Sequence, residues 1–143
     1  MDKIKIKLDK MPLSINEAYR GRRFKTPKLK NYKQEILFKI RYRRVDTSAL
    51  KVLKGEKLTL HILIDSPTWV TIKEGAIRKS DITNRIKILE DAIFEALGID
   101  DSQVWNCLIF KGEKKEVKTH VVIESHKDFM LRHPDILDIF SSE

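Results

Sequence analysis

Cys107 is the only cysteine, so no disulfide can form within the chain, and nothing in its cysteine usage argues for an oxidising compartment. A long apolar run is also missing. The longest nearly apolar stretch, Leu58 to Ile64, is interrupted by Thr59 and His61 and falls far short of the ~20 residues needed to cross a bilayer. Met1 to Leu8 alternates lysine with isoleucine instead of forming an apolar block, which argues against a signal peptide. A cytoplasmic protein with no membrane partner is therefore expected. His61, His120, His126 and His133 show no metal-ligand spacing with Cys107, and Ser14 has no paired His and Asp to support a hydrolase triad. No small-molecule cofactor motif, internal repeat or low-complexity segment is visible.

What is present is a globular composition with an uneven charge. The 143 residues fit one domain, and 41% are apolar, dispersed in short periodic runs. Net charge is +8, but Arg20 to Arg44 alone holds eleven Lys or Arg against one acid, Glu35, a balance of +10 that leaves the remainder at −2. A basic block this dense, interleaved with Tyr19, Phe24, Tyr32 and Tyr42, points to counterion-release binding of nucleic acid.

Periodicity outlines the elements. KIKIKL at 3–8 alternates as a half-buried strand, and MPLSIN, with Pro12, reads as a turn. Apolar groups at Leu29, Tyr32, Ile36, Leu37, Ile40 and Val45 predict a basic helix over 29–44 with Pro27 near its start. Asp46 to Gly55 is a connection, 58–64 a second strand, and 65–80 a loop or irregular strand. After a central helix, 103–110 and 116–125 read as strands, with Gly112 between them suggesting a hairpin. Residues 126–143 form a tail with a short helix around Pro134 to Phe140. The expected class is α+β, a compact mixed sheet of about four to five strands with two main helices in a single domain.

The central helix carries the chemistry. Ile82, Ile86, Leu89, Ile93 and Leu97 fall in a sector of roughly 80°, a core stripe. Asn84, Lys87, Asp91 and Glu95 form a polar ridge opposite, with Lys87 and Asp91 spaced for an ion pair. Asp81 stands where an N-cap would, and Asp100 with Asp101 follows Gly98, the expected C-cap. Each acid alone reads as structural. Together they have the hard-oxygen character that Mg²⁺ takes, and a metal that activates water is the usual means of cutting a phosphodiester.

Asp81, Asn84, Lys87, Asp91 with Ala92, Gly98, and Asp100 and Asp101 with Gln103 resemble the signature of the RusA family of Holliday junction resolvases, the crossover junction endodeoxyribonucleases. PLSINEAYR is similar to that family's PxSxNxxY element through Pro12, Ser14, Asn16 and Tyr19, and the resemblance runs from about residue 4 to about 124. It implies a homodimeric endonuclease, residues 1–125, that uses Mg²⁺, with Mn²⁺ a possible substitute, to nick four-way DNA junctions in symmetric pairs during recombination and repair. Asp81, Lys87 and Asp101 take the positions of catalytic residues, and Asp81, Asp100 and Asp101 those of metal ligands. Asn16, Tyr19, Arg20, Arg22, Arg23, Lys25 and Asn84 are the expected DNA contacts. One departure stands out: Thr83 occupies the place of a second family Asp. The alternative reading is accordingly a non-catalytic branched-DNA-binding module that lost cleavage with that carboxylate. A third is a metal-dependent nuclease for other branched DNA or RNA.

A helix over 83–97 spans roughly 22 Å, which puts Asp81 and Asp101 at opposite ends. Unless the chain doubles back, they share a metal only across a dimer axis, and Ile88 and Phe94, flanking the core stripe, would then serve as interface residues. Trp69 and Trp105 are both read first as packing residues, and Trp69, which lies in a loop, is the better candidate of the two for touching DNA.

Overall fold

The computed structural model describes residues 2–20, 24–42, 45–69 and 82–141, apart from the side chains of Arg20, Phe24 and Asn84. The alternating start forms β1 (Lys3–Leu8), which buries Ile4, Ile6 and Leu8 and exposes Lys5 and Lys7. Where a turn was expected, Ser14 caps one helical turn, α1 (Ile15–Ala18), through a capping box with Glu17. Two short strands, β2 (Tyr19–Arg20) and β3 (Phe24–Lys25), then pair antiparallel. Thr26 Oγ1 donates to Glu17 O at 2.7 Å and accepts from Leu29 N at 3.4 Å, fastening the start of α2 (Pro27–Tyr42) to α1. Pro27, lacking an N–H, sits at the first helical position, where none is needed.

The expected connection contains a further helical turn, α3 (Leu50–Leu53), before β4 (Leu58–Asp65). A 3-10 turn at Pro67–Trp69 follows, then the central helix α4 (Thr83–Leu97) and a second 3-10 turn at Asp101–Gln103. β5 (Val104–Gly112), β6 (Lys118–Ser125) and α5 (His126–Arg132) complete the order, with a last 3-10 turn at Ile136–Phe140. The tail helix thus comes in two pieces, because the residue before Pro134 avoids the helical region and His133 ends α5.

The sheet runs β1-β6-β4-β5, with β6 antiparallel to both neighbours and β5 parallel to β4. This is the α+β mixed sheet that the pattern predicts, dominated by two long helices. The hairpin between the last two strands does not form. Gly112 and the residues after it reverse the chain, but β6 crosses over β4 to lie between it and β1. Parallel β4 and β5 need a crossover connection, and α4 lies within it.

Leu60, Ile62, Ile123, Val121, Ile4 and Ile6 share one sheet face by register, and they form one core with the apolar sides of α2 and α4. α4 also packs against α1 and α2. Its buried face is therefore wider than a single stripe. Ile88 and Phe94 are 2% and 3% exposed and belong to that core, so they are not available to a dimer interface. The opposite sheet face is partly covered by α5, which buries Phe129 against the His61 ring at 5.6 Å.

That second face holds a buried charge cluster. Glu124, 1% exposed, receives both guanidinium nitrogens of Arg132 at 2.7 Å and has His61 Nε2 at 2.5 Å. Burial by itself would raise the Glu124 carboxyl, but the hydrogen bonds from Arg132 and His61 hold it below its ordinary value. Asp65 and His120 make a second cross-strand pair at 3.1 Å. The two histidines are structural, as their strand positions suggest.

Candidate active site

Gly98 ends α4 at φ +70°, a left-handed conformation that glycine adopts without a Cβ penalty, and Ile99 N donates back to Phe94 O at 3.0 Å. The chain reverses there. Asp100 Oδ1 accepts from Ser102 N at 2.9 Å and the Gln103 side chain accepts from Asp100 N at 3.4 Å, closing a capping box. Gln103 Nε2 donates to Leu53 O at 3.2 Å and Glu56 O at 2.9 Å, which pins this turn to the segment entering β4.

Asp101 is carried back along α4 by this reversal. Its Oδ2 lies 3.8 Å from Lys87 Nζ, and Asp91 Oδ1 lies 3.3 Å from the same nitrogen. The chain thus doubles back at Gly98, and Asp101 meets the middle of α4 instead of extending beyond its end. Asp81 itself lies outside the described residues, as do Arg22 and Arg23 and the side chains of Arg20 and Asn84.

The cluster has an excess of acid over base. The hydrogen bond to Asp91 raises the Lys87 ammonium above its ordinary value, with the charges of Asp91, Asp101 and Glu90 adding to it. Lys87 is therefore charged at neutral pH. Burial lifts the half-buried Glu90 carboxyl; Lys87 opposes the shift, while Asp91 and Asp101 add to it. Glu90 was not foreseen in the sequence, where it falls between the apolar stripe and the polar ridge. Partial desolvation pushes the thiol of Cys107 up to about 11, with Glu90 adding, which leaves it a poor nucleophile at neutral pH although the residue is exposed. Asp100 is lowered by its hydrogen bonds from Ser102, in keeping with a cap.

Among the described residues no group of three or more His, Cys, Asp or Glu is placed to hold a metal ion. The donor chemistry nevertheless suits a hard cation, since Asp91 and Asp101 both turn carboxylate oxygens toward one ammonium. Mg²⁺ characteristically takes one or two carboxylates and completes its shell with water and phosphate.

Three of the DNA-contact candidates gather at α1 and the strands after it. Asn16, Tyr19 and Lys25 line one concavity together with Glu17 and Lys28. Arg85, which the sequence reading passed over, joins this region to the first turn of α4: its Nη1 donates to Pro12 O at 2.6 Å and lies 3.4 Å from Glu17 Oε1. Ser14, part of the family-like PxSxN element, is here the N-cap of α1.

No curated protein matches the chain. The family described as Endodeoxyribonuclease RusA matches residues 14–124, a span holding α1, both long helices and the Lys87–Asp101 cluster, so the chain belongs to the RusA endodeoxyribonuclease family.

Proposed function

We propose that this chain is a structure-selective, Mg²⁺-dependent endodeoxyribonuclease that binds four-way DNA junctions and resolves them by paired symmetric nicks, acting as a homodimer. The observation that carries the reading is Lys87 held between Asp91 and Asp101, on the helix that the family match spans. Asp81 and Asp101 would hold the metal, with Asp100 shaping the turn that presents Asp101. When bound, Mg²⁺ neutralises the charge developing on the phosphodiester and activates the attacking water. Lys87, kept protonated by its acidic neighbours, can grip a phosphate oxygen as that charge grows. The concavity of Asn16, Tyr19, Lys25 and Lys28 would follow the DNA backbone.

The test is incubation of the protein with an end-labelled four-way junction and Mg²⁺ or Mn²⁺. Symmetric nicks that disappear in Asp101→Asn support the enzyme. Tight metal-independent binding without a nick would instead identify a binding module whose cleavage was lost with the carboxylate that Thr83 replaces.

A further inference from the structure

Of the two tryptophans it is Trp69 that packs and Trp105 that faces solvent, the reverse of their ranking as DNA candidates by segment. Trp69 is 3% exposed, with its Nε1 donating to Ile64 O at 2.9 Å. Trp105 is 60% exposed. The pairing of β4 with β5 slips at this residue: Leu58 faces Val104, the next residue Thr59 faces Asn106, and Trp105 is left over. An extra residue of this kind is rare in a parallel pair, and bulges next to active sites serve to re-aim a side chain. Here the re-aimed side chain is an indole.

A lysine ammonium and an anchored imidazole flank it. Lys57 Nζ stands 4.0 Å from the Trp105 ring centroid, and the His126 ring lies 6.0 Å away. His126 is anchored by its backbone N–H to Lys57 O at 2.7 Å and by Nδ1 to Asn106 Oδ1 at 2.8 Å. A groove lined by Glu56, Lys57, Lys127, Met130 and Leu131, two ammoniums against one carboxylate, opens beside them. Ser102 and Gln103 of the 3-10 turn and Val104 of the strand separate Asp101 from Trp105, roughly 10 Å of chain at ~2 Å and ~3.3 Å per residue. About three stacked nucleotides cover that distance at ~3.4 Å each.

We propose that Trp105 is a stacking platform for a DNA base beside the cut site, with Lys57 and Lys127 holding the adjoining phosphates. This rests on the reading of the chain as a DNA-cutting enzyme and assigns part of its substrate contact. An indole accepts any base on its π face, so the contact grips an unpaired or splayed base without reading its sequence. Lys57 pins the ring by cation–π attraction while remaining within reach of a phosphate.

Protein labelled with 5-fluorotryptophan gives two fluorine resonances, and Trp105→Phe assigns them. With Asp101→Asn present to prevent cutting, a four-way junction should shift the Trp105 resonance and leave that of Trp69 in place. Trp105→Ala should weaken junction binding about tenfold and Trp105→Phe by no more than about twofold, with unchanged thermal melts. A Trp105 resonance that stays put on DNA-saturated protein overturns the proposal, as does Trp105→Ala binding like the parent. If cutting is intact while the indole is silent, stacking alone fails; if the parent binds no DNA, the enzyme reading fails with it.

Discussion

Two clusters pair carboxylates with cations, and they sit in opposite environments. Around Glu124 the carboxylate is 1% exposed and is met by two guanidinium nitrogens and an imidazole. Around Lys87 one ammonium, its side chain 57% exposed, faces Asp91 and Asp101, with Glu90 close by. The first arrangement satisfies a charge that could not be buried alone and so ties α5 to the sheet. In the second, unneutralised negative charge remains within reach of solvent, which stabilises little and attracts cations. Burial together with partner count separates a carboxylate that holds the fold from one available for chemistry.

The comparison is broken most directly at Asp101. Asp101→Asn should lower junction nicking about a thousandfold, roughly 4 kcal/mol of barrier, while leaving thermal stability nearly unchanged. A large fall in melting temperature would instead make the exposed cluster structural. Next in size is Arg132→Ala, which strands the Glu124 carboxylate: a loss of about 3 kcal/mol, or roughly 10 °C in Tm, should appear in calorimetry, with nicking normal well below the melt. Intact stability would mean that the buried cluster holds nothing.

Acid should separate the clusters more gently. The folded Glu124 carboxyl lies below its ordinary value of 4.5, so its contribution is fully present above that pH and is lost as pH falls through the folded value. Urea titrations between about pH 5 and pH 2 should therefore show a shallower loss of stability for Glu124→Gln than for the parent, a difference on the order of 1 kcal/mol. Parallel curves would contradict the lowered pKa. Smallest is Asp91→Asn, which removes the i, i+4 partner of Lys87 and should cost a few tenths of a kcal/mol in chemical denaturation. A cost of several kcal/mol would show that this pair belongs with the buried kind.

Local periodicity made most elements legible. KIKIKL, LTLHILI and EVKTHVVIES alternate because one face of each strand meets the core, and Gly98 marked the end of α4 because few other residues tolerate its φ. What the sequence concealed was partnership between distant segments. GEKKE signals a reversal but not that the next strand crosses to the far side of β4. Ile88 and Phe94 looked surplus because a stripe calculation supposes one packing surface, whereas α4 packs against α1 and α2 as well as joining the sheet core. Asp101 looked remote from the start of the helix because helix length counts residues in a straight line, while the left-handed turn at Gly98 sends the chain back toward Lys87. The two tryptophans were ranked by their segments, and burial is not a local property.

The placement of β6 also governs the order in which the molecule can assemble. Among the described residues the hydrogen-bonded neighbour of β1 is β6, with Lys3 aligned to Glu124, so β1 waits for a strand more than a hundred residues further along before it is paired. β4 and β5, joined through α4, can meet earlier, but β4 keeps one edge unpaired until the same late strand slots between it and β1. Closing so long a loop gives the sheet a high contact order and a slow final step. Synthesis halted before residue 118 would leave two unpaired edges open to association with other chains.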